Sequence, residues 1–276
     1  MKVVHLSDLH FGKHDTRISE GLAADIESQQ PDLVVVSGDF AQVGSKEEFV
    51  TARGFLDSLS APYFAVPGNH DVPAINLVRR FLNPYGLYRR YIAEELEPFL
   101  ELNGVAFVGM RTSRRMRLEW NWGHGTISRE QLEHLEERFS KASPDAVRVV
   151  VAHHPLLYPT QPMQQTEART VKRADEALET FARLGVRLVL SGHFHLSYVR
   201  KHEVVGAVKE GSPTGLRKSA VAPILVAQAS STISTRLRGE PNAYNLIDFT
   251  NGMIVITVRE WTGDTWKTRE KAVEPA

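Results

Sequence analysis

Five short apolar segments of this chain are each followed at once by side chains that can bind metals or transfer protons. The apolar segments are rich in valine and leucine at consecutive positions, as expected for strands covered on both faces. The polar blocks that follow them are Asp8-Leu9-His10, Gly38-Asp39, Gly68-Asn69-His70-Asp71, His153-His154-Pro155 and Gly192-His193-Phe194-His195. Because ligands bind at the carboxyl ends of strands in α/β sheets, we expect these blocks to converge on one site.

Strand-like segments alternate with helical ones along the chain, which favours an α/β fold. Ser45 and Ser128 each precede a Glu or Gln by three positions, the pattern of a helix capping box. A further helix is predicted over Val171–Leu184, ended by Gly185. The predicted strands are Lys2–Leu6, Leu33–Ser37, Tyr63–Val66, Val105–Met110, Arg148–Ala152, Leu188–Ser191, Val204–Val208, Ile224–Gln228, Tyr244–Asp248 and Met253–Arg259.

The sequence contains no internal repeat and no linker-like stretch that would divide it. We therefore expect a single domain over residues 1–270, in which the strands at about 204–260 complete the sheets. Asn251-Gly252 predicts a hairpin turn between the last two of these strands. Residues 271–276 are expected to form a frayed tail.

Composition excludes several classes of function. None of the 276 residues is a cysteine, which excludes disulfides, thiolate metal sites, iron–sulfur clusters and a thiol nucleophile. Thirty-three basic and 33 acidic residues give a net charge of zero, which argues against an obligatory nucleic-acid partner. No apolar run approaches the ~18 residues of a membrane span, and the start does not have the pattern of a signal peptide. A cytoplasmic location is the expectation.

The spacing within the blocks suggests how their side chains are directed. Residues two apart in an extended segment point the same way, so Asp8 should share a side with His10, and His193 with His195. The apolar residues between these pairs should then point into the core. Sharp turns with positive φ are expected at three glycines: Gly38, Gly68 and Gly192.

Seven side chains of the blocks are candidate metal ligands: Asp8, His10, Asp39, Asn69, His153, His193 and His195. Imidazole nitrogens with carboxylate or amide oxygens suit borderline divalent ions such as Mn, Fe, Zn or Co. Seven ligands are too many for one tetrahedral ion but suit two ions that share a bridging carboxylate. Two divalent ions against two aspartates and a hydroxide leave roughly one positive charge for an anionic substrate. Such a pair activates water and holds the oxygens of a phosphoryl group.

All five blocks, in order from residue 8 to residue 195, resemble the signature of the calcineurin-like metallophosphoesterases. The resemblance implies a four-layer αββα sandwich, in which two mixed β-sheets are flanked by helices. It implies that Asp39 bridges two metal ions, one held by Asp8, His10 and His195 and the other by Asn69, His153 and His193. It also implies that His70 contacts the phosphate or protonates the leaving group, and that Asp71 orients His70.

The His153-His154-Pro155 block and the Gly125–Leu132 stretch resemble, within that family, bacterial cyclic-nucleotide and glycerophosphodiester phosphodiesterases. The implied reaction is hydrolysis of a small-molecule phosphodiester by a metal-bridging hydroxide. A DNA exonuclease is an alternative, because such enzymes share the Ser-Asp-x-His opening, but the zero net charge weighs against it. A non-catalytic binding module is a further alternative, against which stands the completeness of every block.

Some assignments stay open at the level of sequence. Neighbouring strand residues point to opposite faces, so only one of His153 and His154 can face the metals, and the family pattern selects His153. His124 either lines the substrate pocket or packs beside it, and His5 is expected in the core. A homodimer through the region after residue 200 is possible. Arginines whose contact with substrate the sequence does not decide are Arg111, Arg114, Arg115, Arg117, Arg236 and Arg238.

Overall fold

Twelve strands and six helices make up the parts of the chain that the computed structural model describes, which are residues 1–114, 123–160, 169–203 and 222–275. The strands are β1 (Lys2–Leu6), β2 (Leu33–Val36), β3 (Tyr63–Ala65), β4 (Phe99–Leu102), β5 (Val105–Met110), β6 (Val147–Ala152), β7 (Val186–Ser191), β8 (Tyr198–His202), β9 (Ile224–Gln228), β10 (Ala243–Thr250), β11 (Met253–Trp261) and β12 (Trp266–Pro275). The helices are α1 (Thr16–Gln29), α2 (Lys46–Asp57), α3 (Leu77–Leu82), α4 (Gly86–Tyr91), α5 (Arg129–Phe139) and α6 (Ala174–Arg183).

The strands form two six-stranded mixed sheets. The first has the order β12-β11-β10-β1-β2-β3, with β1, β2 and β3 parallel and β10 antiparallel to β1. The second has the order β4-β5-β6-β7-β9-β8, with a parallel centre and antiparallel strands at both edges. Helices pack on the outer faces of both sheets, so the predicted sandwich of two mixed sheets flanked by helices is confirmed.

Three buried apolar layers separate the four layers of secondary structure. Val3 and Val35 lie in the layer between the sheets, where they meet Phe107 of the second sheet. Val4 and Val34, one position along on the same strands, lie in the layer beneath α1 and α2. A third layer joins the second sheet to α5 and α6. This alternation explains the consecutive valines, because both faces of each central strand are covered.

Two of the three predicted helix starts agree with the structure. Ser45 and Ser128 both form capping boxes, with Glu48 and Gln131 returning the hydrogen bond to the cap. The helix predicted over 171–184 is shorter, since α6 begins at Ala174 and a glycine with φ of +69° follows its end.

The end of the chain differs from the expectation of a frayed tail over 271–276. Residues 266–275 form β12, which pairs with β11 in a register that places Val273 opposite Val255 and Pro275 opposite Met253. The strand is rich in exposed charged side chains, so its composition resembles a tail, yet its backbone is fixed by the ladder. The edge strands β4 and β8 also lie outside the predicted set, whereas the predicted strand 204–208 and Ala276 fall outside the described residues.

Both sheets contribute strand ends to the same region. The first three polar blocks follow β1, β2 and β3 of the first sheet, and the last two follow β6 and β7 of the second. No helix within the described ranges is both long enough and apolar enough to span a membrane.

Candidate metal centre

Side chains from the two sheets meet at the block after β1 and the block after β7. The Oδ1 atom of Asp8 lies 3.2 Å from Nε2 of His195 and 3.7 Å from Nε2 of His10. The two Nε2 atoms are 3.3 Å apart. All three side chains are buried, so this is a water-poor cluster of ligand atoms.

Asp39 connects this cluster to a second one. Its Oδ2 atom lies 3.7 Å from Nε2 of His10 and 3.3 Å from Nε2 of His153. On the far side, Nε2 of His153 lies 3.1 Å from Oδ1 of Asn69. The ring of His193 is 5.2 Å from the ring of His153. The structure therefore brings all seven predicted ligands together, with the Asp39 carboxylate between two groups.

Backbone carbonyls fix the orientation of four imidazoles. The Nδ1 atoms of His195, His153 and His70 lie 2.7–2.9 Å from the carbonyl oxygens of Arg236, Ser37 and Gln42, respectively. His10 makes a longer contact of the same kind, 3.3 Å to the carbonyl of Ala41. A carbonyl oxygen can only accept, so each Nδ1 carries a proton and Nε2 is the ring nitrogen that faces the cluster.

Nitrogen and oxygen ligand atoms converge around Asp8. Oδ1 of Asp8 is buried and accepts no hydrogen bond in the structure, yet it faces the Nε2 atoms of His10 and His195. Two nitrogens bound at ~2.05 Å to one tetrahedral ion would be about 3.3 Å apart, which is the separation observed. The donor set therefore fits a divalent cation.

Electrostatics keep the carboxylates charged. Burial by itself would raise the pKa values of Asp8 and Asp39, but the facing histidines, mainly His195 and His153, outweigh burial and hold both below the usual range. Burial lowers the pKa of His10 and His193, so these rings stay neutral. Burial opposes protonation of His153 as well, but Asp39 prevails and raises its pKa to about 9. Two buried negative charges in one cluster are what a pair of cations would neutralise.

His153 and His154 differ in which of their ring nitrogens are available to bind a metal ion. Both nitrogens of His154 are occupied, Nδ1 by Oγ1 of Thr112 at 2.7 Å and Nε2 by the carbonyl oxygen of Gly123 at 2.7 Å. Burial, together with the neighbouring His153, lowers the pKa of His154 to about 3. His153 uses only Nδ1 on the backbone and directs Nε2 toward Asp39 and Asn69. His153 is therefore the better candidate ligand.

A family profile described as calcineurin-like phosphoesterase matches residues 1–197, which include all five blocks. The chain belongs to the calcineurin-like phosphoesterase family. Membership makes it a phosphoester hydrolase, as the blocks predicted.

Relatives of this phosphoesterase include two kinds of phosphodiesterase. A probable cyclic nucleotide phosphodiesterase of a Synechococcus species is 25% identical over 210 residues, 72% of this chain and 75% of the relative. A probable glycerophosphodiester phosphodiesterase of Arcobacter nitrofigilis is 30% identical over 126 residues, 46% of this chain and 42% of the relative. A dimetal phosphatase structure from Danio rerio aligns over 100% of this chain and 98% of its own, with a TM-score of 0.68 and 11% identity, which shows a common fold.

The backbone of the phosphoesterase site is not extended, contrary to the expectation drawn from the spacing. Asp8, His10, Asp39, His193 and His195 all have φ between +47° and +75°, the left-handed region. Such residues cost on the order of 1 kcal/mol each and persist where the surroundings hold them. The apolar residues between the pairs are fully buried, as predicted. His193 and His195 do not share a side as expected, because His195 faces Asp8 while His193 lies beside His153.

The three block glycines are required for two different reasons. Gly38 has φ of +94°, as expected. Gly68 and Gly192 do not have positive φ, so the expected turn conformation is wrong for them. A Cβ at Gly68 would collide with Oδ1 of Asp39, and one at Gly192 would collide with Oγ of Ser7. These two glycines allow neighbouring loops to approach the carboxylates closely.

Asp71 has a different set of partners from the one expected. Its carboxylate accepts hydrogen bonds from the backbone amides of Asp39, Ala41 and Gly68 at 2.8–3.0 Å, whereas Nδ1 of His70 is held by the Gln42 carbonyl. Burial and the charge of Asp39 raise the pKa of Asp71 to about 7. Asp71 therefore fixes the two loops around Asp39 and does not orient His70 directly.

Residues of the C-terminal part also reach the site. Nη1 of Arg236 lies 3.4 Å from Nε2 of His70 and 3.4 Å from Oε1 of Gln42, while its carbonyl holds His195. Ser231 donates from Oγ to the carbonyl of Asp8 at 3.0 Å. The sequence marked Arg236 only as a basic residue of undecided direction, because no motif surrounds it.

The remaining candidates lie at different distances from this centre. His124 is half-buried beside Gly123, whose carbonyl contacts His154, so its role in substrate binding stays a prediction. His5 is fully buried, between Ser37 and Asn245, as expected of a core histidine. Arg111 and Arg114 line a separate cavity, whereas Arg115 and Arg117 fall outside the described residues.

Proposed function

We propose that this phosphoesterase hydrolyses a phosphodiester bond of a small molecule, of the cyclic-nucleotide or glycerophosphodiester type, with two divalent metal ions. The observation that carries the proposal is the position of the Asp39 carboxylate, within 3.3–3.7 Å of a histidine in each of two ligand groups. A carboxylate shared in this way is the hallmark of a dinuclear site. The names of the two relatives described above support the substrate class.

The proposal assigns the candidate ligands to two ions in the way that the family resemblance implies. One ion would be held by Asp8, His10 and His195, and the other by Asn69, His153 and His193, with Asp39 contacting both. The nitrogen and oxygen donors suit Mn, Fe, Zn or Co. When bound, such ions lower the pKa of a coordinated water and neutralise charge on phosphoryl oxygens.

The other side chains of the centre act on the substrate. Nε2 of His70 faces the cluster, with its ring 4.8 Å from that of His10. Because Nδ1 of His70 donates to the Gln42 carbonyl, Nε2 is the atom that, once protonated, would donate to a phosphoryl oxygen or to the leaving-group oxygen. Arg236, beside that atom, supplies a guanidinium for a phosphoryl oxygen. Asn69 would hold both a metal and the phosphate.

The net charge of zero favours a small substrate over DNA, since extended contact with DNA requires a basic surface. Salt dependence separates the two. Hydrolysis of a cyclic or linear small diester should change little between low and high salt, whereas a nuclease would show a steep decline on DNA.

A homodimer formed through the region after residue 200 is a further part of the proposal, and light scattering of the purified chain tests it.

The direct test is a substrate panel on protein loaded in turn with Mn, Fe, Zn or Co. It compares phosphomonoesters, cyclic nucleotides and glycerophosphodiesters, with Asp39→Asn as the site variant and the exposed Asp57→Asn as the matched control. We expect hydrolysis of diesters by the wild type and by Asp57→Asn, and a loss of at least about 1,000-fold in Asp39→Asn. Equal rates for the folded Asp39 variant and the wild type would refute the proposal, and preference for monoesters would refute the substrate class.

A further inference from the structure

A second concave site lies apart from the metal centre. It is an open cavity of about 1280 Å³ between α4, the segment that leads to β4, the residues after β5 and the end of α5. Within the described parts of the chain, no candidate metal ligand lines it. Its charged lining has five cations, which are Arg89, Arg111, Arg114, Arg138 and Lys141, and three carboxylates, which are Glu94, Glu95 and Glu97.

One of these three carboxylates, Glu97, is already engaged by neighbouring groups. Glu97 accepts a hydrogen bond at Oε1 from the backbone amide of Arg111 at 3.0 Å and from the side chain of Gln131. Its Oε2 lies 4.0 Å from the guanidinium of Arg138, which also donates to the Glu97 carbonyl. Glu94 and Glu95 are exposed. The cations inside the cavity therefore exceed the carboxylates that neutralise them.

Three of the five cationic groups are not neutralised by a carboxylate. Among the residues that the structure describes, the head groups of Arg89, Arg111 and Lys141 form neither an ion pair nor a side-chain hydrogen bond. The guanidinium of Arg111 lies over the ring of Tyr85, 5.4 Å from its centroid, and its Nε atom is buried without an acceptor. A buried donor without an acceptor is costly, so an acceptor supplied by a ligand would stabilise this arrangement.

The neighbouring arginine is fixed in place by uncharged groups. Nη2 of Arg114 donates to Oε1 of Gln131 at 2.6 Å and to the carbonyl of Thr126 at 3.0 Å. Burial lowers the pKa of Arg114, and the charge of Arg111 lowers it further. Glu97 acts on Arg114 in the opposite direction, but its carboxylate is shared with the Arg111 amide and Gln131. Neighbouring guanidinium groups of this kind are typical of oxyanion sites.

We infer that this cavity binds a small phosphate-bearing molecule, at a site separate from the metal centre. Its volume exceeds the space that a single phosphate needs and is large enough for a phosphorylated metabolite. Arginine forks recognise phosphate oxygens in pairs, and the net excess of two positive charges in the lining matches a dianionic phosphate monoester.

The test is a calorimetric titration of the metal-loaded chain with inorganic phosphate. The wild type should show two sites, one at the metal centre and one in the cavity. The double variant Arg89→Met/Lys141→Met should lose the second site, with a Kd at least tenfold weaker, and keep the first. Asp39→Asn should do the reverse. The matched control Arg90→Met/Lys172→Met removes the same two charges from exposed residues outside the cavity and should keep both sites.

Two results would overturn the inference. One is an unchanged isotherm in the Arg89/Lys141 variant, which would place all binding at the metal centre. The other is an equal loss in the Arg90/Lys172 control, which would indicate only a general effect of charge.

Crystals soaked in tungstate give an independent measurement. Anomalous density beside Arg111 and Arg114 is expected, and density confined to the metal centre would contradict the proposal.

Discussion

The Nε2 atoms of His10 and His195 lie 3.3 Å apart, although 185 positions separate the two residues in the chain. Both rings donate from Nδ1 to a backbone carbonyl, so the facing nitrogens are both acceptors. Two acceptors held at this distance repel each other unless a proton or a metal ion lies between them. This contact therefore supports a metal site more directly than the burial of the two histidines or their sequence motifs do.

Replacing His195 by alanine should remove one of two bound ions. We expect metal content, measured by elemental analysis after loading and desalting, to fall from about two ions per chain to about one, because Asp8, His10 and the shared Asp39 leave this site one protein ligand short. His134→Ala, on the exposed face of α5, is the matched control and should retain both ions. Full metal content in the His195 variant would contradict the assignment.

His153→Ala and His154→Ala should have different consequences. The first removes a ligand, so we expect loss of metal and of activity. The second removes hydrogen bonds to Thr112 and Gly123, so we expect a lower melting temperature, by several degrees, with metal content retained. Thermal melts and elemental analysis on the same samples separate the two. An exchanged pattern would make His154 the ligand.

Arg236→Met should weaken substrate binding while leaving the metal centre assembled. The carbonyl that holds His195 belongs to the backbone and survives the substitution, whereas the guanidinium beside His70 is lost. We expect KM to rise about tenfold, equivalent to roughly 1.4 kcal/mol, and Arg236→Lys to recover part of the loss. Steady-state kinetics check this, with the exposed Arg53→Met as control. An unchanged KM would exclude Arg236 from the substrate contacts.

Gly192→Ala and Gly54→Ala should change stability in opposite directions. A methyl group at Gly192 meets Oγ of Ser7 and Oδ2 of Asp8, so we expect a loss of about 2 kcal/mol and weaker metal binding. Gly54 lies within α2 with open space around it, so alanine there should stabilise the fold by up to about 1 kcal/mol. Denaturant unfolding measures both, and a neutral Gly192 variant would show that the loops can separate.

Buried His5 should make the fold sensitive to acid. Burial lowers its pKa to about 3 in the folded state, whereas the unfolded chain binds the proton near pH 6.5. Between these values the unfolded state binds more protons, so stability falls as the pH falls, by up to about 1.4 kcal/mol per pH unit. The free energy of unfolding of His5→Gln, measured from pH 6.5 to 4.5, should therefore decline less steeply than that of the wild type. His134→Gln should not alter the slope.

The sequence predicted which side chains lie together because strand ends in an α/β fold converge, and the five blocks occupy such ends. It did not reveal the left-handed backbone at Asp8, since alternation in an extended strand also places Asp8 beside His10. The same alternation wrongly placed His193 on the side of His195. The partners of Asp71 and the position of Arg236 depend on contacts between loops distant in sequence. The strand β12 was missed because its exposed face is charged, like that of a tail.

Ser231 and Arg236 lie beyond residue 197, where the match to the family profile stops, yet they hold Asp8 and His195 through the backbone. A fragment that ends at residue 197 would keep all seven candidate ligands. It would lose the two hydrogen bonds that position Asp8 and His195. The residues after 197 thus form part of the site itself. Exchanging this segment between relatives should therefore alter metal affinity and substrate selectivity together.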